Sequence, residues 1–151
     1  MVGDGQVRSE TEKIVKSYGL ENMFYFYGSQ CQNDYVISLK SFDICLAPYR
    51  GERVRKLGVS PIKIFSYMAS KKPIICSDLD DLKFIDEYGF GRTFREGSAG
   101  DFAKAISEMV ERGDELKKMG FKAYDYVVKH HDWKVIAERI LDIAYGKESV
   151  S

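Results

Sequence analysis

From Gly58 to Asp78 the chain reads GVSPIKIFSYMASKKPIICSD, and no other stretch restricts its fold as much. Ser60 is a preferred N-cap residue, since its hydroxyl accepts from a free amide of a first helical turn. Pro61 then falls at the first helical position, where its missing N–H costs nothing and its fixed φ suits a helix. Ile62, Phe65, Met68 and Ala69 follow at helical spacing and predict one buried face. Lys71 and Lys72 match the negative end of the helix dipole, and Pro73 ends the helix. Ile74, Ile75 and Cys76 form an uninterrupted apolar run, with no polar residue on either face of a strand. Such a strand must be covered on both sides, as the strands of parallel sheets are. A helix starting at Ser60 also aims free N–H groups at whatever precedes it, which reads either as an anion site or as a plain cap.

With 151 residues, 44% of them hydrophobic, the chain has the material for one domain with a sizeable core. The reading places that domain at 1–146 and a frayed tail at 147–151. The 23 Lys and Arg balance 23 Asp and Glu, so no global field points to nucleic acid or an anionic membrane as a partner. Cys31, Cys45 and Cys76 are odd in number and too far apart for a C-x-x-C pair. Free buried thiols in a reducing compartment are therefore expected, not disulfides or a metal site. No apolar run approaches the roughly 20 residues that cross a bilayer, and no signal-peptide pattern opens the chain. The expected location is cytoplasmic.

In chain order, Met1 to Gly3 reads as the end of a strand, and Val7, Thr11, Ile14, Val15 and Tyr18 as a helix stopped by Gly19. Met23 to Tyr27 (MFYFY) reads as an aromatic strand packed in a sheet. Asp34 caps a helix through about Phe42, Ile44 to Ala47 is a strand, and Tyr49 to Val59 a polar loop. After the opening helix and strand come a helix over Leu82 to Tyr88, a strand over Gly91 to Phe94, and a capping box at Ser98 to Asp101. The helix from that box presents Phe102, Ile106, Met109 and Val110. Another helix runs from about Asp114 to Lys129. Asp132 caps the last one, which carries Trp133, Ile136, Ala137, Ile140, Leu141 and Ala144 on one side. The alternation of strands and helices to about residue 113 predicts an open, mainly parallel α/β sheet with helices on both faces. Ligands of such sheets bind at the carboxyl ends of the strands.

The order of these signals resembles the C-terminal, nucleotide-sugar-binding domain of GT-B glycosyltransferases, of the retaining family-4 type. The residues that carry the resemblance are VGDG at 2–5, FYFYG at 24–28, DICLAPY at 43–49, SPIKIFSYMASKKPIICSD at 60–78, GFGRTF at 89–94 and HDWKVIAERILDIA at 131–144. Each motif is weak alone; their collinear order over nearly the whole chain is the specific part.

The resemblance implies roles residue by residue. The backbone around Gly28, Ser29 and Gln30 would contact the nucleobase. The loop ending at Gly58, Val59 and Ser60, with the helix N-terminus at Pro61, would hold the diphosphate and the transferred sugar. Position 66 would meet the ribose. No catalytic residue and no cofactor is assigned within the chain. The ligand is a nucleoside-diphosphate sugar, whose leaving phosphates helix amides and cations would stabilise without a metal. Two departures from the family pattern stand out. The family carries glutamates where this chain has Gly58 and Ser66, and a serine cannot replace a bidentate charged acceptor, a loss of about 1.5–3 kcal/mol. The family's domain also begins with a further strand and helix, bearing an arginine and a lysine that clamp the diphosphate. In the strand order 3-2-1-4-5-6 that strand is central, between those at Met1 and Ile44.

The expectation is thus a Rossmann-like GT-B C-terminal half without its first strand and helix, inactive as a transferase alone. Its partners would be a nucleotide sugar, the missing N-terminal acceptor domain or another chain, and a second copy across the sheet gap. In a full-length enzyme a peripheral membrane contact is also implied. The competing reading is a degenerate module that binds a nucleotide weakly or serves as a partner surface. A third, an unrelated doubly wound signalling domain, needs neither the helix pair after residue 99 nor the Trp133 helix.

Some residues stay open between two readings. Arg50, Arg53, Arg55 and Lys56 read as phosphate ligands or as a solvated loop. Lys63, on the first turn of the central helix, is within reach of a phosphate or points to solvent. Asp78, Asp80 and Asp81 read as caps of the next helix before a D-x-D metal motif. His130 and His131 point about 100° apart on a helix and read as a helix end, not a bidentate site. Trp133 reads as core.

Overall fold

Ile74, Ile75, Cys76 and Ser77 are buried at every position. As β2 (Ile74–Ser77) they form the middle of a three-stranded parallel sheet, between β1 (Cys45–Ala47) and β3 (Gly91–Phe94). The computed structural model describes residues 1–58 and 62–146 and divides the chain into Met1–Ser38 and Leu39–Ser151. The sheet belongs to the second unit. Cys45 stands opposite Ile74, and Ile74 opposite Gly91.

Both faces of β2 are covered, as its apolar run requires. Ile74 and Cys76 face a core shared with Ile64 and Met68 of α4 (Ile62–Ala69), Ile85 of α5 (Phe84–Glu87) and Ala123 of α7 (Glu115–His131). Ile75 points the other way, toward Ala105 and Met109 of α6 (Ala99–Glu111) and Met119 of α7. Each isoleucine contributes about 1.5–3 kcal/mol through burial. The sheet's outer strand β3 is blunted: the Asp86 carboxylate accepts from the Thr93 amide at 3.0 Å and from its hydroxyl, and Arg92 lies 3.6 Å away. Such charged cover is how an edge strand avoids pairing with another chain.

The face that α4 turns inward overlaps only in part with the one predicted: Met68 and Phe65 meet the core as expected, while Ile62 and Ala69 do not. Ile64 and Met68, an i, i+4 pair, are wholly buried with Phe65 and Tyr67 beside them, whereas Ile62 is 73% exposed and Ala69 is exposed too. The helix is apolar almost all round, so spacing alone does not select the face; packing on the sheet does. α4 ends with Lys71 at φ 57, while the amide of Lys72 donates to the Tyr67 carbonyl at 3.0 Å. Lys71 then lays its ammonium over the rings of Phe121 and Tyr124, at 4.8 and 4.6 Å. Beneath this turn passes Gly120 of α7, where a Cβ would stand 2.0 Å from the Lys71 carbonyl oxygen. Only a glycine lets helix and turn touch there.

Other expectations need correction. The polar loop at 49–59 contains α3 (Glu52–Leu57), a run without Gly or Pro inside it, supported by the i, i+4 pair of Glu52 and Lys56 at 3.5 Å. The helix expected over 82–88 is a 3-10 turn, Asp80–Leu82, followed by α5. Its predicted aspartate caps are absent: Leu79 takes the cap position with no side-chain bond, and Asp80 pairs with Lys83 at 2.6 Å. Ser98 and Asp132 do cap, accepting from the amides of Asp101 at 3.2 Å and Lys134 at 2.9 Å. On α6, Val110 is exposed while Met109 is buried. Trp133 is not core. It is 83% exposed at the start of α8 (Trp133–Ala144), none of whose residues is buried. Of the expected stripe Ile136 is half-buried, while Trp133, Ala137, Ile140, Leu141 and Ala144 stay exposed. Cys45 and Cys76 are buried free thiols, pushed up to about 12 by burial above all, and Cys31 is free and exposed.

In the first unit, α1 (Arg8–Ser17) buries Val15. Neither predicted strand forms. Glu21–Met23 is a 3-10 turn, and residues 24–27 run extended beside Met1, with one isolated antiparallel bridge from Gly3 to Gly28. Tyr25 and Tyr27 are exposed, so the aromatics do not pack as a sheet face. Two short extended segments with no third strand do not sustain a ladder. α2 (Gln32–Ser41) begins before Asp34, whose carboxylate accepts from the Cys31 thiol at 3.2 Å in place of the expected cap. The frayed tail expected at 147–151 lies outside the described residues.

Gly120→Ala is expected to lower unfolding stability by about 1–3 kcal/mol, since backbone must shift to admit the methyl. Gly100→Ala, on an open face of α6, should raise it by about 0.5–1 kcal/mol in the same urea titration. A second outcome follows from His131, which stacks on Phe65 at 4.3 Å. Burial, then His130 and Arg139, hold its pKa below the ordinary 6.5. The unfolded chain therefore binds more protons around that pH, so stability is lost as pH falls from 6.5 through the lowered folded value. Denaturation midpoints should drop between about pH 7.5 and about pH 5.5, and less so in His131→Phe.

Candidate functional site

The chain leaves β1 through Pro48 into Tyr49, and β2 ends at Ser77. Ser77 is wholly buried and donates its Oγ to the Tyr49 carbonyl at 2.7 Å, which ties the two carboxyl ends together. The Tyr49 ring packs against the core built on Ile64 and Met68. Its hydroxyl is buried without a hydrogen-bond partner among the described residues. Burial, with a lesser contribution from Cys76, pushes the phenol above its usual range. Over the ring lies the Lys63 ammonium, 4.8 Å from the centroid. Lys63 is exposed on the first turn of α4, and among the described residues no carboxylate pairs with it. The carboxyl ends of β1 and β2 therefore carry a cation that is held and that no described residue neutralises.

After Tyr49, the Gly51 amide donates to Glu96 Oε1 at 2.8 Å, and α3 follows. Arg50 is exposed ahead of it. Arg53 and Arg55 fall on α3, and only their backbone is described. Lys56 is engaged with Glu52 at the surface, a pair of small energetic weight. Gly58 closes α3 at φ 74 and ψ 175, a region that glycine alone occupies freely. A Cβ on Gly58 would stand 2.9 Å from Asp81 Oδ2. A carboxylate thus sits beside the glycine, supplied by the turn after β2. Val59, Ser60 and Pro61, and with them the expected cap and anion site, lie outside the described residues. Ser66 donates its hydroxyl to the Ile62 carbonyl within α4 at 2.9 Å, which leaves it an acceptor only.

Gly28, Ser29 and Gln30 belong to the first unit. Gly28 has φ 69 beside the Arg8 guanidinium, Ser29 is exposed, and Gln30 Oε1 accepts from Ser38 at 2.9 Å. Among the described residues no three His, Cys, Asp or Glu side chains stand together as metal ligands. Two open clefts, of about 260 and 380 Å³, are lined by Arg92, Arg95 and Lys104, and by Tyr88, Tyr126 and His130; neither includes an expected site residue. Among the described residues no helix is long and apolar enough to cross a membrane.

Three residues of this site escape sequence reasoning: Tyr49, Ser77 and Asp81. Tyr49 had one available signal, its place directly after the proline that closes a strand. Gly58→Ala is expected to cost about 1–3 kcal/mol of stability from backbone strain, read as a shift in the urea midpoint, with a smaller part from displacing Asp81.

The sequence pattern of the family described as glycosyl transferases group 1 matches residues 1–112. A comparison with curated proteins finds no match. Among solved structures, the chain is similar to sucrose-phosphate synthase from Thermosynechococcus elongatus, with a TM-score of 0.77 and 19% identity over 94% of this chain and 34% of that one. It is also similar to WaaG, a glycosyltransferase involved in lipopolysaccharide biosynthesis, at 0.71 and 16% over 94% and 36%. TarM aligns at 0.72 and 21% over 93% and 27%. Likeness at such identities speaks of fold alone, and the chain spans only about a third of the length of these proteins. With a covered parallel sheet and the family pattern over most of its length, the chain belongs to the group 1 glycosyl transferases and carries a Rossmann-like α/β domain of the GT-B architecture.

Proposed function

We propose that the chain is the donor-binding part of a glycosyltransferase of glycan or lipid-linked saccharide synthesis. It would hold a nucleoside-diphosphate sugar at the carboxyl ends of its parallel strands, where ligands of such sheets bind. The observation that carries this reading is Lys63, an exposed cation with no described counter-charge, standing beside Tyr49 at the end of β1. Lys63 takes a phosphate oxygen, and the backbone from Gly58 to Pro61 takes the diphosphate and the sugar. Ser66 accepts a hydrogen bond from one ribose hydroxyl. Arg53 and Arg55 add positive charge toward the phosphates. These residues bind and orient; none is assigned a proton transfer or a nucleophilic step. The isolated chain is therefore inactive as a transferase, and the acceptor side is supplied by another domain or chain.

Two observations favour the second reading, a module that has lost catalysis. Gly58 has a backbone that an acidic side chain would strain, and the Ser66 hydroxyl is spent on its own helix. Calorimetric titration of the purified chain with uridine, guanosine and adenosine diphosphates separates the two. Binding of one of them at micromolar to millimolar Kd, weakened severalfold by Arg53→Ala and by Arg55→Ala while the nucleoside is unaffected, is the expected result. No heat with any diphosphate at millimolar concentration would favour the partner module. Turnover of a nucleotide sugar by the chain alone would refute its inactivity.

A further inference from the structure

Tyr49 is fixed from two sides. Its carbonyl is bound by the buried Ser77 hydroxyl at 2.7 Å, and its ring is packed against the core of Ile64 and Met68. Held in this way it turns a ring face to Lys63, whose Nζ lies 4.8 Å from the centroid. A ring attracts an ammonium through its quadrupole without cancelling the charge. A carboxylate in the same place would order the lysine equally well and then compete with an incoming phosphate. A lysine with no seat would have to be ordered on binding, at a cost in affinity. The ring supplies order without competition. The hydroxyl contributes nothing to this, since it is buried and has no partner among the described residues.

We propose that Tyr49 is a positioning residue for Lys63: its ring holds the ammonium, uncompensated, at the carboxyl ends of β1 and β2, ready for a phosphate of a nucleoside diphosphate. The proposal rests on the donor-binding reading and gives a role to Tyr49, to which that reading assigns none. The ring is the working part, so phenylalanine serves as well as tyrosine. Tyr49 acts through Lys63, so removing Tyr49 once Lys63 is gone has no further effect.

The test is calorimetric titration of the purified chain with uridine, guanosine and adenosine diphosphates and the matching nucleosides. Tyr49→Phe keeps the wild-type affinity. Tyr49→Leu weakens diphosphate binding roughly three- to tenfold and leaves nucleoside binding unchanged. Lys63→Met weakens it at least as much, and the double variant is no weaker than Lys63→Met alone. Equal losses in Tyr49→Phe and Tyr49→Leu, additive losses in the double variant, or the same loss for nucleoside and diphosphate each overturn the role of Tyr49 while the donor reading stands. A wild-type chain that binds no diphosphate overturns the donor reading and the phosphate role with it. Where Tyr49→Leu does not fold, proton NMR of the Lys63 ε-methylene decides. An upfield ring-current shift in the wild type and in Tyr49→Phe supports the seat, and its absence in both overturns it.

Discussion

β2 has no solvent face, and the larger unit depends on that fact. Ile74 and Cys76 need one layer of helices and Ile75 needs another. A strand of this kind cannot be joined to its neighbours by hairpins, because each parallel partner requires a crossover that returns to the same end of the sheet. The crossovers here carry α3 and α4 before β2, and α5 before β3. Their return brings the loops after β1 and β2 to a common end. Ser77 and Tyr49 meet there because the core demanded parallel strands, and the Lys63 seat is a by-product of the same demand.

The parts of the fold that were legible in the sequence are those whose signal is local and has one solution. The run Ile74 to Cys76, the cap at Ser98 and the cap at Asp132 are of this type. α4 was legible as a helix but not in its orientation, because Ile62, Ile64, Phe65 and Met68 offer two apolar faces and only the sheet distinguishes them. Trp133 departs from its expected place in the core for a related reason. A tryptophan at the head of an amphipathic stripe reads as core only if something exists to cover it, and that information is not local. MFYFY has strong β propensity, yet a propensity becomes a strand only with neighbours to pair with.

The site divides along the same line. Lys63 was visible, as a cation in the first turn of a helix after a strand end. Tyr49 was visible only as a residue after Pro48, and Ser77 only as the residue after an apolar run; their meeting is a tertiary fact. Asp81 reads as a cap in the sequence, whereas its carboxylate lies beside Gly58, where the family pattern that the chain resembles has a glutamate. Sequence spacing describes the helix carrying a residue far better than it describes what approaches from another strand.

The contact between Gly120 and the turn at Lys71 has a consequence in time as well as in space. It joins two parts of the chain that are far apart in sequence, and the elements between them include β2, β3 and α6. Closing so long a loop costs entropy before any packing returns it. Topologies built on non-local pairings assemble slowly for this reason. The glycine that lets α7 touch the α4–β2 turn therefore removes the steric bar to a contact whose entropic cost is already high, and it latches α7 onto that turn.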